Sequence, residues 1–353
     1  MIFHCILLEC CKQIQTERTA SSTYHLLKGR RSIQTVQDAH LYKLERYFGI
    51  YNKLSRKHFN HTMDELQLKG LLNRINPDKI VFETTPAATE WLDVNKRIAF
   101  PFESYAGLAY HEITEIFLER LLLLIQTLTN SKMQYYSFIP VIDKPVIEKW
   151  VKKVYRKVKN QEAKYLNAIF QELRSILQHF SNEEAGLFID RLTGYKSYGM
   201  SINQLSKKYE LSIDDVQLII VNMIHRLLSV LHNENDKYPF LSFIINDLTS
   251  ATLLSNSAFH TSQLLLQGYS VEKIASIRDL KINTIHDHLI EIALYETNFP
   301  LHHYVDNLEQ QEILNAIKLT NSSKLKEIKR RVNDDISYFQ IRLILALQNK
   351  QFK

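Results

Sequence analysis

Two stretches of this chain follow one residue order, and that order constrains the fold more than any other feature. Residues 202–227 read "INQLSKKYELSIDDVQLIIVNMIHRL" and residues 268–289 read "GYSVEKIASIRDLKINTIHDHL"; they align without a gap. A helix-turn-helix needs a small residue where its two helices cross. Four residues later it needs one that tolerates a left-handed turn, then an N-cap, then an apolar residue facing back. In the later stretch Ser270 caps the first helix, Glu272 opens its first turn, Ile274 is core and Ala275 is the crossing residue. Asp279 takes the turn position, where glycine is usual but aspartate is tolerated. Leu280 is the apolar turn residue, and Ile285, Leu289 and Ile292 form the inward stripe of the second helix. In the earlier stretch Leu205, Ser206, Glu210, Leu211, Ser212 and Val216 take the places of Ile274, Ala275, Asp279, Leu280, Lys281 and Ile285.

The outward faces of the two units differ. The reading helix of 202–227 begins with Asp214 and Asp215, where base contacts are normally made, and carboxylates there repel phosphate. Its next residues, Leu218 to Val221, are apolar nearly all round, so a structural or protein-contact role is expected. The 268–289 unit offers Lys281, Asn283, Thr284 and His286, whose groups suit base edges or phosphate. Asp287 counts against it. Downstream, "SSKLKEIKRRVNDD" holds Lys324, Lys326, Lys329, Arg330 and Arg331, the densest basic patch in the chain. It reads either as a solvated helix face or as a phosphate contact with salt-sensitive affinity. A second basic face, Lys149, Lys152, Lys153, Arg156 and Lys157, lies opposite the stripe Ile147, Trp150, Val151, Val154 and Val158. It is a solvated face or a surface for phosphate or an acidic partner.

Breakers are scarce: 8 glycines and 7 prolines in 353 residues. That is roughly 2% each, against usual values of about 7% and 5%. The fold class is therefore mostly α, multi-domain and helical, with two helix-turn-helix units. Periodicity places helices at 1–16, 20–28, 34–48, 55–72, 104–130 and 240–254. "KIVFET" alternates as a strand, and "PAATEWL" starts a helix at Pro86. This region, near residues 79–100, is expected to form a small β-hairpin, either winged-helix-like or merely an appendage of a helical domain. The expected divisions are an N-terminal helical domain over 1–130, a linker over 131–145, a helical domain over 146–232, a connector over 233–255 and a C-terminal domain over 256–348.

The net charge is +6, which permits a polyanion partner without requiring one. No phosphate-cradling glycine loop is present, and "HEITE" at 111–115 does not match the zinc motif HExxH. His58 and His61, His286 and His288, and His302 and His303 read as ordinary histidines rather than ligands. The three cysteines, Cys5, Cys10 and Cys11, read as free thiols on a packed helix in a reducing compartment. "LERLLLLIQTL" is too short to span a bilayer. We therefore expect a cytoplasmic protein, either free or nucleoid-associated, with no cofactor, no metal and no enzymatic activity.

Three resemblances follow from the motifs. "TSQLLLQGYSVEKIASIRDLKINTIHDHL" together with "ISYFQIRLILA" at 336–346 resembles the helix-turn-helix domain found at the C-terminus of RecQ-type helicases. "STYHLLKGRRSIQTVQDAHLYKLERYFGI" at 22–50 is similar to the start of the YpbB family, whose resemblance covers essentially the whole chain. Residues 163–231 resemble the promoter-reading region of sigma factors, from which Asp214 and Asp215 depart. The YpbB resemblance implies a RecQ-type helicase partner that lacks this C-terminal domain, with the present chain supplying it in trans. It carries over Ile274, Ala275, Arg278, Leu280, Thr284, Ile285, His288 and Leu289, mostly as scaffold; Arg278 and His288 are each either a functional contact or a helix pin. Asp279 departs from the family's glycine. The expectation is a non-enzymatic DNA-binding accessory protein in DNA repair or recombination. A transcription regulator and a protein scaffold without DNA binding are the alternatives.

Overall fold

The computed structural model describes residues 1–76, 80–96, 100–248 and 254–348. Among these the chain forms nineteen α-helices and one two-stranded sheet. In order they are α1 (Ile2–Ile14), α2 (Ala20–Lys28), α3 (Ile33–Leu41), α4 (Arg56–Leu68), β1 (Leu72–Asn76), β2 (Val81–Thr84), α5 (Pro86–Lys96) and α6 (Gly107–Tyr110). Next come α7 (Thr114–Lys132), α8 (Pro145–Val158), α9 (Glu162–Leu177), α10 (Asn182–Asp190), α11 (Ile202–Lys208), α12 (Ile213–Asn233) and α13 (Pro239–Ser242). The last are α14 (Asn256–Leu266), α15 (Val271–Arg278), α16 (Ile282–Tyr295), α17 (Asn307–Thr320), α18 (Leu325–Lys329) and α19 (Tyr338–Gln348). The mostly α class is as the scarcity of glycine and proline implies.

The hairpin lies upstream of its expected place. β1 pairs antiparallel with β2, Leu72 opposite Thr84 and Arg74 opposite Phe82. Residues 86–96 are helical, as the helix start at Pro86 implies, and 77–79 and 97–99 fall outside the described residues. The cause is Gly70, whose φ of 69° ends α4 before Leu71. Thr85 then closes the unit by donating its hydroxyl to the Gly70 carbonyl at 2.8 Å. Residues 71–76, freed from the helix, pair with the alternating strand. The helix expected over 240–254 is also shorter: α13 is a single turn, and 249–253 lie outside the described residues.

The chain forms two compact units. One comprises Met1–Ile6, Gly49–Asn52 and Asp93–Ser250. Its centre is α12, whose Val216, Leu218, Met223, Leu227 and Leu228 are completely buried. The earlier helix-turn-helix pattern is borne out locally. Ser201 and Gln204 form a capping box at the start of α11, Glu210 turns left-handed at φ 54°, and Ser212 caps α12 through Asp215 N–H. The two carboxylates at the head of α12 are engaged: Asp214 accepts from the Tyr51 hydroxyl, and Asp215 from the Phe3 N–H at 3.1 Å.

The other unit comprises Leu7–Phe48, Lys53–Leu92 and Ala251–Lys353. Here α16 packs against α14, α15 and α19, and α3 lies across both α16 and α19. Ser322 and Ser323 hydroxyls donate to Glu17 at 3.0 and 3.1 Å, and Tyr42 bonds Ser323 at 2.6 Å. None of the three cysteines, all buried, forms a disulfide. Burial raises the Cys11 thiol to about 12, far from thiolate chemistry.

Candidate nucleic-acid interface

The C-terminal helix-turn-helix is built by local sequence. Ser270 accepts from Lys273 N–H at 3.3 Å and starts α15. Ile274, Ala275 and Ile285 form its core, flanked by Leu264, Leu265, Val271 and Leu280. The small side chain of Ala275 fits the crossing of α15 and α16. Asp279 ends α15 in the left-handed region at φ 51°, ψ 48°. Leu280 N–H then closes the turn on the Ala275 carbonyl at 3.0 Å. In the 202–227 unit, Leu211 N–H closes on Ser206 in the same way, at 3.1 Å.

At the start of α16, Lys281 occupies the N-cap position with extended backbone and gives no side-chain cap. Helix N–H groups without a capping oxygen, beside an exposed ammonium, form a positive pole suited to an anion. Lys281, Ile282 and Asn283 are exposed, and Thr284 is half-buried.

Other expected contacts are engaged within the fold. Arg278 donates to the Ser257 carbonyl at 2.7 Å and hydroxyl at 3.0 Å, and to the Thr261 hydroxyl. It therefore pins α15 to α14. His288 is buried and shares a 2.8 Å hydrogen bond with Thr261; burial lowers its pKa. His286 stacks on Phe339, ring centroids 4.0 Å apart, and desolvation lowers its pKa too. Asp287, the unfavourable carboxylate, is paired with Arg342 at 2.7 Å. Sequence reading missed Arg342, although it stands in the quoted "ISYFQIRLILA" motif. Its pairing depends on a contact between α16 and α19 that no local pattern encodes.

The downstream basic patch divides. α18 is only Leu325–Lys329, so the patch is not one long helical face. Lys329 turns inward to the carbonyls of Asn333 and Asp334, both at 3.0 Å. Lys324 is 3.7 Å from Glu327. Lys326, Arg330 and Arg331 are exposed.

In the other unit, α8 carries the second basic face. Val151, Val154 and Val158 are buried, while Lys149, Lys152, Lys153, Arg156 and Lys157 are exposed. Lys152 pairs with Glu148 at 2.7 Å. Beside this face is a cavity of about 260 Å³ lined by apolar residues including Leu124, Leu128, Ile169 and Phe240, with Lys157 on its edge. Among the described residues no group of three His, Cys, Asp or Glu side chains is placed to hold a metal ion. No helix among them is long and apolar enough to cross a membrane.

Comparison with known proteins agrees with this geometry. A family model described as a helix-turn-helix domain matches residues 257–345, which is α14 to α19. Protein YpbB of Bacillus subtilis (strain 168) is 29% identical over 350 residues, covering 99% of this chain and 98% of that protein. No solved structure matches. The chain is thus similar to that protein along the length of both, with the helix-turn-helix domain at its C-terminal end.

Proposed function

We propose that this chain is a non-enzymatic accessory protein that binds DNA through α14–α19 and supplies that module in trans to a RecQ-type helicase, in DNA repair or recombination. The observation that carries the DNA contact is the uncapped start of α16, where Lys281 and Asn283 stand exposed above a packed helix-turn-helix core. Lys326, Arg330 and Arg331 extend the phosphate contacts. Arg278, Lys324 and Lys329 act chiefly by holding the module in shape, because their cations already meet groups of the fold.

The same geometry favours an accessory over a regulator. Sequence reading needs several side chains on base edges, whereas phosphate contacts only position a protein. On α16 the exposed polar residues are confined to the first turn, and His286 one turn on is stacked on Phe339. So short a reading surface supports DNA binding with little sequence preference. The 202–227 unit serves as scaffold, since Tyr51 and Phe3 already meet Asp214 and Asp215. The helicase contact is assigned to the α8 face, where Lys149, Lys153, Arg156 and Lys157 border an apolar cavity.

Copurification tests the partnership. The purified chain and the helicase are expected to comigrate on a sizing column, and the complex to bind duplex DNA more tightly than the helicase alone. Two separate peaks at micromolar concentration would overturn the partnership. A specific-to-random affinity ratio of roughly 10³ or more would instead identify a regulator.

A further inference from the structure

A second surface rich in aromatic and basic side chains lies in the unit that contains α7–α13, remote in sequence from the helix-turn-helix at 257–345. After α7, residues 133–141 run without regular structure, yet their backbone is fixed. Gln126 donates to the Ile139 carbonyl at 3.0 Å and accepts from Val141 N–H at 2.8 Å. Tyr135 N–H donates to the Asn130 carbonyl at 2.9 Å, after a left-handed Gln134 at φ 56°. The rings held on this frame face solvent: Tyr135 is 46% exposed and Tyr136 65%.

A tight turn meets them. Gly194 and Ser197 exchange backbone hydrogen bonds at 2.8 and 3.3 Å, and Gly199 N–H donates to the Thr193 hydroxyl at 3.1 Å. Gly199 is obligatory there, since a Cβ would lie 2.2 Å from the Arg191 carbonyl oxygen. The turn presents Tyr195, Lys196 and Tyr198, the last 87% exposed. Tyr135 and Tyr195 meet edge to face, centroids 5.9 Å apart, which joins the two segments into one surface. Lys196 Nζ lies 5.3 Å from the Tyr195 ring centre, and Lys132 is exposed at the end of α7. Glu162, a carboxylate on this side, is bonded to the Ser131 hydroxyl at 3.0 Å.

Exposed rings contribute little to folding, and a cluster of them held by a rigid backbone marks a contact surface. The ring type and the charge identify the ligand. Flat tyrosine faces beside ammonium groups suit unpaired bases, each with a π-face, on a phosphate backbone. Duplex DNA hides its base faces in the stack. We propose that residues 132–136 and 195–198 bind single-stranded nucleic acid. Tyr135, Tyr136 and Tyr198 stack on bases, Tyr195 fixes Tyr135, and Lys132 and Lys196 meet phosphates. This deepens the accessory reading by adding a site for an unwound strand, but needs no helicase to be tested.

The test is fluorescence anisotropy of the full chain with labelled oligodeoxyuridylate and oligouridylate of about twenty nucleotides, longer than a single binding site. A duplex of equal length is measured in parallel. Binding of either single strand supports the proposal if Tyr136→Ala with Tyr198→Ala weakens it about tenfold or more. The matching Tyr→Phe changes should retain it, and duplex affinity should not move. The tighter of the two strands names the natural sugar. Lys132→Gln and Lys196→Gln should each flatten the logarithmic salt slope by about 0.7. Equal binding by wild type and the alanine variants, or no binding by wild type, overturns the proposal. So does an alanine pair that abolishes helicase copurification with strand affinity unchanged, which would mark a protein interface. Duplex binding lost through Lys281→Glu tests the helix-turn-helix separately, so the two readings fail by different measurements.

Discussion

His286 lies flat against Phe339, ring centroids 4.0 Å apart and planes 13° from parallel. The stack ties the second turn of α16 to α19 and leaves His286 outside the proposed DNA contact. His286→Ala and Phe339→Ala are therefore expected to lower thermal stability while the folded variants keep most of their duplex affinity. A double-mutant cycle on unfolding should return a coupling of about 0.5–1.5 kcal/mol. Zero coupling would show that the stack adds nothing to stability, and a large affinity loss in His286→Ala at unchanged stability would restore His286 as a DNA contact.

Arg342 neutralises Asp287 beside the reading helix, at 2.7 Å. On the proposed reading, removing the arginine leaves the Asp287 carboxylate of α16 unpaired to repel DNA phosphate. Arg342→Ala should weaken duplex binding several-fold at low salt and less at high salt, as screening shortens the interaction. Adding Asp287→Ala should recover much of the loss. A double variant as weak as Arg342→Ala would mean that the arginine touches DNA itself.

Asp279 holds φ 51° and Glu210 holds φ 54° at the same place in the two helix-turn-helix units. A left-handed backbone costs a residue with a Cβ about 1–2 kcal/mol, part of which glycine returns as chain entropy. Asp279→Gly and Glu210→Gly should each leave stability unchanged or raise it by up to about 1 kcal/mol. Asp279→Val should destabilise clearly. Chemical denaturation reads both, and a loss on Asp279→Gly would show that the aspartate side chain holds the turn.

His225 is buried, accepts from Ala106 N–H at 3.1 Å through Nδ1 and meets the Thr114 hydroxyl at 3.1 Å through Nε2. Desolvation, aided by His111, brings its pKa from 6.5 down to about 3. Between those values the unfolded chain carries a proton that the folded chain lacks. The site's full stability is present above about pH 6.5 and is lost as pH falls toward 3, by about 2 kcal/mol at pH 5. His225→Gln should flatten that part of the curve. An equally steep acid loss in the variant would place the titration elsewhere.

Both helix-turn-helix units were legible because their determinants are local. Ser201 and Ser270 cap, Glu210 and Asp279 turn, and Ala275 sits at the crossing, all within spacings that a linear reading can follow. β1 was not legible, since "LLNRIN" has no strict alternation and becomes a strand only because Gly70 stops α4 and Phe82 lies opposite Arg74. Site residues were legible as types but not as roles. Arg278 read as either a DNA contact or a helix pin, and only the fold lays its guanidinium on Ser257 and Thr261, about twenty residues away in the chain. Gln37 of α3 donates to the Arg342 carbonyl at 2.8 Å, a tie between the N-terminal segment and α19 that no periodicity announces.

The most direct test of DNA binding through the start of α16 is an anisotropy titration of the full chain with duplex DNA across salt, comparing wild type with Lys281→Glu plus Asn283→Asp. The account predicts salt-sensitive binding by wild type and a loss of tenfold or more in the variant, about 1.4 kcal/mol or more, with unfolding unchanged. Equal affinity and equal salt slope in the two proteins would contradict it.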